Sequence, residues 1–211
     1  MRRLPVYLVL DTSGSMEGEP IESVKVGVEA LLSALRSDPY ALETVHLSVI
    51  TFDRQARQLV PLTELAAFQA PQLEASGGTA LGDALRLVAE RIDSEVQKSA
   101  PDSKGDWKPL VFLMTDGEPT DDWRRGLTRF RNAKTGMMVA CAAGPAANTS
   151  VLKEITESVV QLDTTDQAAI RAFFKWVSAS VSVGSKKVDG GAEVNTLKEL
   201  PPPPAEINVV V

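Results

Sequence analysis

Leu4-Pro5-Val6-Tyr7-Leu8-Val9-Leu10-Asp11-Thr12-Ser13-Gly14-Ser15 joins an apolar run to a polar turn near the start of the chain. Its first seven residues carry no charge and do not alternate with polar ones, the pattern of a strand buried on both faces of a parallel sheet. At its end come a carboxylate and two hydroxyls at alternate positions, with Gly14 placed to let the backbone turn. Such oxygens are ligands for a hard cation.

Working outward, Ile21, Val24, Val28, Leu31, Leu32 and Leu35 recur at helical spacing behind Pro20, and Ser37-Asp38-Pro39 should end that helix. His46–Phe52 reads as a second strand. After a very short turn at Asp53, Ala56–Leu62 forms a hairpin with it as an antiparallel edge strand. Thr63–Phe68 is expected to make one or two helical turns. The loop Ser76-Gly77-Gly78-Thr79-Ala80 leads into Leu81, Ala84, Leu85, Val88, Ile92 and Val96, an amphipathic helix. Leu110–Met114 is again uniformly apolar and ends at Thr115-Asp116-Gly117. A helix is expected to open at Asp121-Asp122 with Thr120 as N-cap. Met137–Ala143 is a further strand, and a short helix near Asn148–Ile155 precedes Val159–Leu162. Ile170, Phe173, Phe174, Trp176, Val177 and Val181 mark a last helix beginning near Asp166.

Alternating strands and helices imply a three-layer αβα, doubly wound α/β fold, with a mainly parallel sheet and one antiparallel edge strand. Residues 1–183 make one domain. From Gly184 the composition shifts to Lys186-Lys187, Gly190-Gly191 and the run Pro201–Pro204, so residues 184–211 read as a Pro-containing tail. Its apolar end, Ile207 and Val209-Val210-Val211, has two natural destinations, a sheet edge or a groove.

With 211 residues, 22 Lys+Arg against 28 Asp+Glu and no basic cluster, the chain is not built for nucleic acid or an anionic membrane surface. No apolar run approaches the roughly 18 residues of a membrane span. Met1-Arg2-Arg3-Leu4 has basic residues before apolar ones, but the apolar part runs into Asp11 with no small-residue cleavage site. The single cysteine, Cys141, excludes an internal disulfide, and a cytoplasmic location is the expectation.

In open α/β sheets ligands bind beyond the carboxyl ends of the strands, which gathers Asp11, Thr79 and Asp116 at one edge. Each segment also has a plain structural use. Asp11–Ser15 suits a turn and a helix cap, Thr79 an N-cap, and Asp116-Gly117 a turn. Capping, however, gives no reason for all three to meet.

The combination Asp11-x-Ser13-x-Ser15, Thr79 after Gly77-Gly78, and Thr115-Asp116-Gly117 resembles the von Willebrand factor A (VWA) domain over about Leu4–Val183. Within that family the near-N-terminal start, the Asn148 region and the Pro-rich end are most similar to small bacterial tellurite-resistance proteins of the TerY type. The resemblance implies a metal-ion-dependent adhesion site formed by Asp11, Ser13, Ser15, Thr79 and Asp116. Ser13, Ser15 and Thr79 would bind through hydroxyls, with Asp11 and Asp116 binding directly or through water. The donor chemistry suits Mg²⁺, with Mn²⁺ or Ca²⁺ as alternatives. The implied function is capture of an Asp or Glu of a partner protein. The TerY-type likeness adds a PP2C-like phosphatase or a protein kinase as candidate partners, in an adaptor role under metal stress, with the free chain a monomer.

The competing reading is an enzyme, an Mg²⁺-dependent aspartyl-phosphate phosphatase or phosphotransfer domain using Asp11. Such phosphatases place a second Asp two residues on as general acid, and here that position is Ser13. No Lys lies close in sequence to Asp11, Thr79 or Asp116, as a receiver site would need, and Gly77-Gly78-Thr79 lacks the Gly-Lys-Ser/Thr of a P-loop. A binding module with no catalytic residue is therefore expected. His46 and Cys141 read as structural. Trp123 has two readings, a partner contact near the site or packing beneath the loop. Glu17, Glu118, Asp121 and Asp122 place negative charge around the rim.

Overall fold

The computed structural model describes residues 2–210. Strand β1 (Leu4–Asp11) is buried along its whole length and occupies the middle of the sheet, which is why no polar residue interrupts it before Asp11. A short 3₁₀ turn at Gly14–Met16 leads to α1 (Glu19–Arg36), followed by α2 (Pro39–Thr44), β2 (Val45–Phe52) and β3 (Ala56–Glu64). Then come α3 (Leu81–Glu95), β4 (Leu110–Thr115), α4 (Trp123–Arg131), β5 (Met137–Ala143), α5 (Thr149–Ile155), β6 (Val159–Leu162), α6 (Gln167–Asp189) and β7 (Ile207–Val209). The strand order is β3-β2-β1-β4-β5-β6-β7. The five inner strands are parallel, while β3 lies antiparallel on β2. This is the doubly wound α/β architecture expected.

Side-chain alternation along β1 splits the core in two. Leu4, Val6, Leu8 and Leu10 pack with α1, α2 and α6, whereas Tyr7 and Val9 pack with α3 and α4. Helices on one face touch closely. A Cβ on Gly126 of α4 would lie 2.0 Å from the carbonyl oxygen of Gly82 in α3, so this crossing requires a residue without a side chain.

Two local expectations are corrected and one short helix is added. The segment after Leu62 does not become helical at Thr63. β3 continues to Glu64, and Leu65 and Phe68 then turn inward as buried side chains. That turn is held by the backbone bond Leu65 N→Val45 O and by the Arg36 guanidinium on the carbonyls of Leu65 and Phe68. Ser37-Asp38-Pro39 ends α1 as expected but at once starts α2, because Asp38 accepts from Tyr40 N at 3.0 Å and Pro39 suits a first turn. The N-cap of α4 is Asp122, not Thr120.

The change of composition at Gly184 does not coincide with a helix end. α6 runs on to Asp189, with Gly184, Ser185 and Val188 buried and Lys186 on the solvent side. A Cβ on Gly184 would meet Leu110 at 3.2 Å and Leu4 at 3.5 Å, so glycine here is a packing residue, not a breaker. Beyond α6, Val194 and Leu200 are buried, Trp176 donates from Nε1 to the Pro201 carbonyl at 2.9 Å, and Lys187 pairs with Glu199 at 2.6 Å. Ile207–Val209 then pairs antiparallel with β6, a second antiparallel edge strand beside the one expected. Of the two destinations open to the apolar end, it takes the sheet edge. Val211 lies outside the described residues, as does Met1.

Candidate metal-binding site

β1 connects to β2 on one side of itself and β4 pairs on the other, so the sheet's direction of winding reverses between β1 and β4. The crevice beyond their carboxyl ends is where such folds bind ligands. Asp11 is the last residue of β1, and Asp116 follows the last residue of β4.

Asp11 is 1% exposed and both its oxygens are engaged. Oδ1 accepts from the backbone N–H of Ser13 at 2.8 Å, an Asx turn that reverses the chain, and Oδ2 accepts from the hydroxyl of Thr115 at 2.5 Å. The turn presents Ser13 and Ser15 side by side with their hydroxyl oxygens 3.0 Å apart, and Ser15 donates to Asp116 Oδ1 at 2.7 Å. One polar chain therefore joins the loop after β1 to the loop after β4.

Thr79 arrives from the loop before α3. Gly14 N–H donates to Gly77 O at 3.0 Å and Ser76 N–H to Thr12 O at 2.8 Å, which fixes that loop against the first one. Thr79 and Thr120 are joined through Thr79 N→Thr120 Oγ1 and Thr120 N→Thr79 O, both 2.9 Å. A Cβ on Gly117 would lie 3.5 Å from the Thr79 hydroxyl and 3.9 Å from that of Ser15, so Gly117 marks the gap that both hydroxyls border. Among the described residues the Thr79 hydroxyl has no hydrogen-bond partner, although the residue is 5% exposed. All five residues expected at one edge stand together there.

The electrostatics are unbalanced. Burial pushes the Asp11 carboxyl up to about 6, against the hydrogen bonds from Ser13 and Thr115, and the nearby Asp116 adds to the rise. Burial also raises Asp116, opposed by the bond from Ser15. Among the described residues neither carboxylate forms a salt bridge. Two buried carboxylates, two interacting serine hydroxyls and one uncommitted threonine hydroxyl make an all-oxygen donor set with uncompensated negative charge. That set fits a hard divalent cation. No group of three or more His, Cys, Asp or Glu side chains suited to a metal occurs among the described residues. The donor set is hydroxyl-rich instead.

Several supporting residues were not assigned from the sequence. Thr115 anchors Asp11, and Thr120 grips Thr79. Asp121 accepts from Gly82 N–H at 3.0 Å and Asp83 N–H at 2.9 Å, tying the loop after β4 to the start of α3. Of the rim acids, Asp121 and Asp122 are thus occupied as caps, and Glu118 accepts from Asn148 Nδ2 at 2.9 and 3.0 Å. Trp123 is buried, with the Arg124 guanidinium 4.4 Å over its ring, which decides for packing beneath the loop. Cys141 is fully buried, and burial raises its thiol far above the ordinary range.

The von Willebrand factor type A domain model matches residues 6–174. The chain belongs to the VWA domain family. It is 37% identical over 124 residues to an uncharacterized protein of Synechocystis sp., covering 56% of this chain and 26% of that one. It is 32% identical over 123 residues to inter alpha-trypsin inhibitor heavy chain 4 of Mus musculus, covering 54% and 12%. The chain thus spans about a quarter or less of the length of these curated relatives. Among solved structures, a von Willebrand factor type A protein from Catenulispora acidiphila superposes with a TM-score of 0.63 at 20% identity, covering 86% of this chain and 43% of that one. The pilus adhesin SpaC of Lactobacillus rhamnosus GG gives 0.66 at 15% identity, covering 87% and 30%. At such identities the likeness is one of fold. VWA domains are commonly protein-interaction modules. Among the described residues no helix of this one is long and apolar enough to cross a membrane.

Proposed function

We propose that this VWA domain is a metal-dependent protein-binding module. Asp11, Ser13, Ser15, Thr79 and Asp116 would hold Mg²⁺, and a carboxylate of a partner protein would bind at that position. The observation that carries this reading is the polar chain Ser13–Ser15–Asp116 beside the Thr79 hydroxyl, which among the described residues has no partner, just as no described basic side chain is paired to either buried carboxylate. When bound, the cation supplies a Lewis-acidic position for an acidic side chain. The chain's own residues do the rest. Thr115 and the Ser13 N–H orient Asp11, Thr120 fixes the backbone of Thr79, and Gly117 keeps the space between Thr79 and Ser15 clear.

No general acid stands two residues beyond Asp11, because Ser13 occupies that position with its hydroxyl against Ser15. That favours binding over phosphoryl transfer. The TerY-type resemblance extends the proposal to an adaptor or regulator of a phosphorylation-linked complex in metal stress, in the cytoplasm, with a PP2C-like phosphatase or a protein kinase as partner.

The test is calorimetric Mg²⁺ titration together with affinity capture from cell extract, with and without EDTA. Thr79→Ala should leave the circular dichroism spectrum intact and abolish both metal binding and EDTA-sensitive capture. Capture that persists unchanged in EDTA would overturn the coordination reading. Acetyl-phosphate labelling that disappears in Asp11→Asn would favour the enzyme reading instead.

A further inference from the structure

The charge around the candidate metal site is distributed unevenly. On the side of the loops after β4 and β5 lie Glu118, held by Asn148, and Asp122, capping α4. On the opposite side the turn between β2 and β3 carries Asp53, Arg54 and Gln55. Asp53 is buried, and its carboxylate accepts from Gln55 N–H at 3.1 Å and from the Arg57 guanidinium at 3.0 and 3.1 Å. That pair is internally neutralised. Arg54 is exposed, and among the described residues it has no hydrogen bond or ion pair.

Arg54 is nevertheless placed. Its aliphatic stem lies against Gly77, where a Cβ would fall 2.7 Å from Arg54 Cγ and 3.0 Å from Nε. Gly77 has φ of 78°, and its carbonyl is the acceptor for Gly14 N–H. Gly14 in turn sits between Ser13 and Ser15. The order Arg54–Gly77–Gly14 is therefore a contiguous stack that ends at two of the five candidate ligands, with the guanidinium at its outer end. Glu17 lies beside the same stack, its Oε1 4.0 Å from a Cβ on Gly14, and forms no salt bridge with Arg54.

We infer that Arg54 is a specificity-determining contact, and that the partner surface carries two carboxylates, one for the metal and a second for the Arg54 guanidinium. This rests on the metal-dependent reading given above. An acidic segment would otherwise meet Glu17, Glu118 and Asp122, so Arg54 sets the direction along which a second acid is tolerated. Arg suits this use because its planar fork receives a carboxylate through two parallel N–H bonds.

The probes are two Gly/Ser peptides, one with a single Glu and one with a second Glu two to four residues away, measured by fluorescence anisotropy in Mg²⁺ and in EDTA. The second Glu is expected to tighten binding to the native protein about three-fold at low salt. Arg54→Gln, which keeps most of the stem over Gly77, should remove that gain while leaving Mg²⁺ affinity and single-Glu binding unchanged. Arg54→Lys should retain part of it. An equal gain in Arg54→Gln, no gain in the native protein, or a fall in Mg²⁺ affinity in Arg54→Gln would each overturn the assignment. Absence of Mg²⁺-dependent binding by either peptide, in a protein that binds no Mg²⁺, would instead overturn the metal-dependent reading itself.

Discussion

Asp11→Asn is the substitution in which the demands of folding and binding are expected to separate. Asp11 is buried, and its carboxyl is raised to about 6 from an ordinary 3.8, with desolvation the main cause. A raised folded-state value means that the fold prefers the protonated form. Its contribution to stability is complete below about pH 4 and is lost as pH rises through 6, leaving a penalty at pH 8. The difference of about two pH units corresponds to about 3 kcal/mol.

Asn carries no such charge and suits the same partners. Its Oδ1 can accept from Ser13 N–H, and its Nδ2 can donate to the Thr115 hydroxyl oxygen, which rotates its proton away. In EDTA at pH 8, Asp11→Asn should therefore be more stable than the native protein by about 2–3 kcal/mol, with the gap closing towards pH 4. Added Mg²⁺ should stabilise the native protein by about 2.7 kcal/mol at a hundred times its dissociation constant, and the variant hardly at all. Urea unfolding followed by circular dichroism at pH 4.5, 6 and 8 reads all of this. An Asn variant less stable than the native protein in EDTA at pH 8 would refute the burial account of the site.

Other outcomes follow from the packing. Gly126→Ala drives a methyl into the Gly82 backbone, so it should destabilise the protein by about 3 kcal/mol in urea unfolding, while Gly126→Ser should be no better tolerated. An unperturbed midpoint would contradict the close α3–α4 crossing. Cys141, buried with a raised thiol, should resist Ellman's reagent in the native state and react fully in denaturant. Rapid native labelling would show that β5 is not where the sheet places it. Ile207→Asn puts a polar side chain where β7 covers β6, and should cost about 2 kcal/mol without altering Mg²⁺ affinity. A neutral effect would mean that β7 contributes no burial in solution.

The residues of the candidate site were legible because their signals are local. Asp11 and Asp116 close uniformly apolar runs, and Thr79 follows two glycines at the entry to an amphipathic helix. Strand ends on a parallel sheet must share an edge, so order along the chain was enough to bring the three segments together. The residues that hold them were not legible. Thr120 has the composition of an N-cap, and only the approach of Thr79 explains why its hydroxyl is used elsewhere, leaving the cap to Asp122. Trp123 follows two acids and looks exposed in one dimension, but α4 rotates it inward.

The C-terminal segment marks the same boundary from the other side. Lys186, Lys187 and the prolines at 201–204 give residues 184–211 a composition that buries little by itself. What they meet is set by the rest of the fold: Gly184 packs closely against Leu110 and Leu4, and Ile207 finds the open edge of β6. Hydrophobic period and strand-end chemistry are properties of neighbouring residues, so the layered α/β fold and the placing of Asp11, Ser13, Ser15, Thr79 and Asp116 at one edge followed from the sequence. Which hydroxyls and carboxylates are already hydrogen-bonded, that Asp121 ties the loop after β4 to α3, and that the Arg54 stem is seated over Gly77 depend on contacts between residues tens of positions apart. Such contacts exist only once the chain has folded.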